Sequence, residues 1–101
     1  MNPKEAIKLA LADGEKVWVS FKGTSMLPLV KSGQSVLLAP CKIDELQVGD
    51  IIYCRVHGKD YCHLVKALDE TEGRVLIGNN KGRVNGWTSQ VYGKVVEKKK
   101  L

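Results

Sequence analysis

The sequence predicts a mostly β domain, a coiled and partly closed sheet preceded by one short N-terminal helix. Three observations carry that expectation. Apolar residues follow helical spacing only before Gly14. Beyond it they fall in short alternating or β-branched runs separated by turn residues. With 101 residues the chain has room for one domain and a modest core, which helix and strands must share.

Asn2 is a capping side chain, Pro3 fits a first helical turn, and Glu5 puts an acid near the positive end of the helix dipole. Ala6, Ile7, Ala10 and Leu11 then share a face and Gly14 suits the stop, so a helix is expected from Pro3 to about Asp13. Val17, Val19 and Phe21 alternate with Lys16, Trp18, Ser20 and Lys22, the pattern of a strand with unlike faces. Ser35 to Ala39 is an apolar strand stopped by Pro40. Ile51–Val56 and Tyr61–Ala67 flank the turn sequence HGKD and read as a hairpin. A turn centred on Gly58 and Lys59 would set His63 opposite Cys54. Gly73–Gly78 and Val91–Glu97 supply two further strands, and the Asn- and Gly-rich stretch 79–87 between them reads as a loop. The expected organisation is a single domain over 1–101: helix 1–14, β domain 17–97, basic tail 98–101.

An apolar fraction of 44% with 27% charged residues belongs to a globular chain. No apolar run approaches the roughly 20 residues of a membrane-crossing helix, and the N-terminal stretch lacks the apolar block of a secretory signal. The expected location is the cytoplasm, without a membrane span. Three cysteines, Cys41, Cys54 and Cys62, are an odd number, and in a chain of this kind they form no disulfide framework. The net charge of +5 raises the possibility of a basic nucleic-acid-binding β domain. Lys98, Lys99 and Lys100 supply much of that excess as a solvated tail, however, and no stretch interleaves aromatics with Arg and Lys, so no nucleic-acid partner is expected. Cys54, His57, Cys62 and His63 carry ligand atoms, but their spacing is foreign to zinc sites. Adjacent Cys62 and His63 point to opposite faces of a strand. Neither metal nor cofactor is expected.

The stretch FKGTSMLPLV places Ser25 in a turn-like setting between apolar residues. Serine is a poor nucleophile unless a base removes its proton. His63 lies within a strand, on one face with Tyr61 and Val65, where partial burial would fix its ring and move its pKa. His57 sits at a hairpin turn and reads as solvated. Lys66 is the competing base, on the opposite face of the strand unless a bulge intervenes.

The order of these segments resembles the signal-peptidase and LexA-type serine peptidases (the S24/S26 peptidase families). GTSMLPLVKSG is similar to their Gly-x-Ser-Met-x-Pro nucleophile segment, LQVGDIIYCRV to their Gly-Asp-plus-strand segment, and CHLV to the strand carrying the general base. IGNNKGRVNGW resembles their Gly-Asp-Asn loop and VYGKVVE their closing strand. The resemblance spans about Val17 to Glu97 and implies the coiled β fold of that family, with Ser25 attacking a peptide carbonyl and His63 as base, the Ser–His branch. It further implies Asn79 or Asn85 at the position that orients the imidazole, and Gly23, Thr24, Met26 and Pro28 around the substrate and the oxyanion. The substrate would be an extended peptide or protein cleaved after small residues. This chain departs from the family at three points: Asn79 and Asn85 stand where an acid is usual, Leu64 replaces an arginine, and Gln34 replaces an aspartate. Asp60 and Asp69 are the other acids within reach of the hairpin. These departures leave a second expectation, a peptidase-like domain of weak or absent activity that binds a peptide or protein partner.

Overall fold

The computed structural model describes residues 2–23 and 26–100. Helix α1 (Pro3–Ala12) is followed by strands β1 (Val17–Ser20), β2 (Ser35–Ala39), β3 (Ile51–Val56), β4 (Lys59–Asp69), β5 (Arg74–Gly78), β6 (Val84–Thr88) and β7 (Gln90–Lys98), with a 3-10 turn at Ile43–Glu45. The strands make one antiparallel sheet in the order β1-β2-β7-β3-β4-β5-β6. Asn2 caps α1, its Oδ1 accepting from the Glu5 N–H at 2.9 Å.

Alternation along β3 divides the core in two. Tyr53 joins Val19, Val36, Leu38 and Leu64 beneath α1, where Leu11, Met26 and Val30 close the layer. Ile52, Cys54 and Val56 face the other way and pack with Val65, Val75 and Ile77 under Leu46. Fully burying one such aliphatic side chain contributes about 1.5–3 kcal/mol. Tyr53 is 1% exposed and stacks between Phe21 and Tyr92, at 5.4 and 5.2 Å between ring centroids. Among the described residues its hydroxyl has no hydrogen-bond partner, and burial, with the nearby Asp60 carboxylate, pushes its pKa up to about 12.

The sheet coils without closing. Gly86 of β6 comes back against Val56 and His57 at the end of β3, yet β1 and β6 remain the two edges. Each edge exposes a tryptophan with a cation over its ring: Lys99 5.1 Å from Trp18, and Arg74 5.4 Å from Trp87. No helix among the described residues is long and apolar enough to cross a membrane.

Three local expectations are corrected. The β3–β4 turn is centred on His57 and Gly58, both left-handed at φ 48° and 80°, as a tight hairpin turn requires. Lys59 therefore enters the ladder opposite Val56, and His63 pairs with Ile52 instead of Cys54. Alternation along β4 itself does not depend on that register, so Tyr61, His63 and Val65 keep their common face. Second, the expected loop 79–87 contains most of β6, which pairs with β5. Third, the basic tail is partly built in: Lys98 ends β7, its Nζ donates to Leu29 O at 2.8 Å, and Lys99 N–H donates to Ser35 O at 2.9 Å.

Candidate active site

The site grows from an asymmetry of β4. Its ladder with β3 covers Lys59 to Leu64, whereas its ladder with β5 covers only Leu64 to Asp69. Along Asp60–His63 the strand thus has a sheet neighbour on one side only. In an antiparallel hairpin closed by the Val56–Lys59 pair, alternate residues turn their backbone groups outward. Here those are Asp60 and Cys62. A groove of about 450 Å³ runs along this edge, and its opposite wall comes from Phe21, Gly23, Met26 and Val30.

Ser25 and Thr24 lie outside the described residues. Gly23 (φ 127°) donates its N–H to Ser32 Oγ at 3.0 Å, and Gly33 N–H donates to Phe21 O at 2.9 Å. Met26 is buried and its carbonyl accepts from Val30 N–H at 3.0 Å. Pro28 is exposed and follows a cis peptide bond. Gly23 and Met26 line the same groove as His63.

His63 is half-buried, with its ring 5.0 Å from that of Tyr61. Its Nδ1 lies 2.7 Å from Asn85 Oδ1. An amide oxygen only accepts, so Nδ1 carries the proton and Nε2 the basic lone pair. Burial holds the imidazole pKa below its ordinary 6.5, and the positive charge of Arg83 acts the same way, against the opposing hydrogen bond of Asn85. The ring is consequently neutral at neutral pH. A bulge positions its partner: β6 pairs Val84 with Gly78 and Gly86 with Ile77, which leaves Asn85 as the extra residue.

The two asparagines take different roles. Asn79 Oδ1 accepts from Lys81 N–H and Arg83 N–H, both at 2.9 Å, and shapes its own loop. Sequence reasoning singled out neither Asn80 nor its use: Asn80 Nδ2 donates to Leu27 O at 2.8 Å, tying that loop to the segment after Ser25. The signal was present as the second Asn of IGNN. Gln34 shows what its departure from aspartate does, since its Oε1 accepts from Lys31 N–H at 2.9 Å while its Nε2 donates to Lys99 O at 2.8 Å. A carboxylate cannot make the second bond.

The other candidates are engaged elsewhere. Lys66 is the extra residue of a bulge between Val65 and Ala67, and its side chain lies against Gly78, away from the groove. Asp69 pairs with Arg74 at 3.3 Å. Asp60 lines the groove with its carboxylate 6% exposed, bound by Lys8 Nζ at 2.8 Å and Arg55 Nη1 at 3.2 Å. Its burial would raise the pKa, but the hydrogen bond and charge of Lys8, with Arg55, hold it below the ordinary value. Burial pushes the thiols of Cys54 and Cys62 up to about 12, which keeps them protonated and poorly nucleophilic.

Chemically, the groove offers a strand edge for an extended chain and, at one end, a neutral imidazole in a fixed tautomer able to accept a proton. Compared with family models, with curated proteins and with solved structures, the chain matches none.

Proposed function

We propose that the chain is a small serine peptidase of the signal-peptidase/LexA type, with Ser25 as nucleophile and His63 as general base. One observation carries this reading: a single groove is lined by Gly23 and Met26, the described residues flanking the Thr24–Ser25 pair, and by an imidazole whose Nδ1–H is held by Asn85. Ser25 Oγ attacks the peptide carbonyl while Nε2 takes its proton, and Nε2 then gives that proton to the departing amine as the C–N bond breaks. Water attacks the resulting ester with the same nitrogen as base, which returns the serine hydroxyl. The substrate lies as an added strand along Asp60–Cys62, where main-chain groups turn outward. Gly23 N–H is already taken by Ser32, so the oxyanion depends on donors nearer Ser25, among them Thr24.

A second reading rests on Asn85. An amide holds the ring but offers no charge to the imidazolium, which favours a domain that binds extended peptides and cleaves them slowly or not at all. A fluorophosphonate probe separates the two. Peptidase activity predicts a covalent adduct mapping to Ser25 by mass spectrometry and lost in both Ser25→Ala and His63→Ala. Wild-type protein that stays unlabelled yet binds extended peptides would favour the binding domain.

A further inference from the structure

We infer that the groove selects extended peptides carrying acidic side chains, a specificity that rests on the groove being the peptide site proposed above. Its walls carry three lysines, Lys4, Lys22 and Lys31, against one carboxylate, Asp60. That carboxylate is spent, since Lys8 and Arg55 both bind it. The three lysines are exposed, and none makes an ion pair among the described residues. Glu5, 3.8 Å from Lys8 Nζ, does not line the groove. A concave wall lined by one sign of charge raises the local concentration of the opposite sign and disfavours like-charged ligands.

Their placement gives the preference a geometry. Lys22 and Lys31 belong to the wall facing β4, whereas Lys4 stands on α1, close enough for its charge to act on Asp60. Asp60 lies three residues from His63 along β4, about 10 Å at strand spacing. A peptide pairing with that edge advances in step, so a side chain about three residues from the attacked bond arrives beside Lys4. Acids at positions facing the opposite wall meet Lys22 and Lys31. Outward-turned N–H and C=O groups at Asp60 and Cys62 are both met by the main chain of a polypeptide, whereas a phosphodiester backbone offers only acceptors and leaves the carbonyls unmatched, which argues for an acidic peptide over a nucleic acid.

The test uses the full chain with Ser25→Ala, so that binding is read without turnover, and three fluorescein-labelled peptides of alternating alanine with Glu, Gln or Lys. Anisotropy titrations should give Glu about tenfold tighter than Gln, with Lys weakest. The Glu advantage should fall several-fold between about 0.05 and 0.5 M salt and reverse in the triple variant Lys4→Glu, Lys22→Glu, Lys31→Glu. Should that variant misfold, the salt dependence of the parent chain still decides. Equal affinity for Glu and Gln peptides, no binding of any peptide, or tighter binding of a short thymidine oligonucleotide than of the Glu peptide would each overturn the inference. Fluorophosphonate labelling of the wild-type chain, run in parallel, reports on the catalytic reading independently: labelling without a Glu preference removes only the specificity.

Discussion

At His63 a half-buried imidazole is held by an uncharged partner, and that pairing sets two measurable behaviours. Because the ring's pKa lies below its ordinary 6.5, the basic form persists into mildly acidic solution. Fluorophosphonate labelling rates should stay level from alkaline pH down to that value and decline only beneath it. A rate already falling between about pH 9 and 7 would exclude the His63 imidazole as the base. Asn85→Asp places a carboxylate against Nδ1. The imidazolium then gains a counter-charge, so the acid limb moves to higher pH and the rate rises about tenfold or more. An unmoved limb in that variant would mean that Asn85 is not the residue that orients the ring. The histidine and both asparagines could be singled out from the sequence, while Ser25 lies outside the described residues. The choice between Asn79 and Asn85 could not be made there, because it depends on which of them a bulge leaves unpaired.

Among the elements, those with a strong local signal were readable and those made by pairing were not. The capped helix, the β2 run and the hairpin strands follow from periodicity and turn residues. Strand β6 does not: Val84-Asn-Gly-Trp-Thr has no alternation and contains an Asn-Gly pair that ordinarily signals a turn. It is a strand because β5 offers an edge, and Gly78 allows the approach. A Cβ at Gly78 would clash with the carbonyl oxygen of Arg83 and lie 3.0 Å from Lys66 Cε. Gly78→Ala should therefore cost about 1–3 kcal/mol in urea denaturation. By pushing β6 away it should also slow Ser25 labelling, since Asn85 rides on that strand. Wild-type labelling in a destabilised Gly78→Ala protein would show that the His63–Asn85 contact survives without close β5–β6 packing. The turn register was missed for a related reason. Only the demand for two left-handed residues distinguishes His57–Gly58 from Gly58–Lys59, and a histidine in that conformation is uncommon.

Across the whole molecule, α1 is fastened to the sheet beside the groove by Lys8 and Asp60. The two side chains are 17% and 6% exposed, a setting in which removing one partner leaves a buried charge poorly compensated. Lys8→Ala should cost about 2 kcal/mol at neutral pH. Asp60 is held below its ordinary 3.8, so the pair's contribution is complete above the pKa of the unfolded chain and disappears as pH falls through the folded value. Urea midpoints of wild type and Lys8→Ala should therefore differ at neutral pH and converge in acid below 3.8. A gap that persists there would trace the cost to lost packing of the lysine stem on Tyr92, over whose ring Nζ sits at 4.8 Å.

The two ends of the open sheet carry a last consequence. At each, the cation of a lysine or arginine sits over a tryptophan ring, so a strand from another molecule must strip water from a cation before it can dock there. Such guarded borders discourage side-by-side fibre growth. They leave the inner margin of β4, between these ends, as a place where a foreign strand can add to the sheet if its own charges suit the lysines lining that groove.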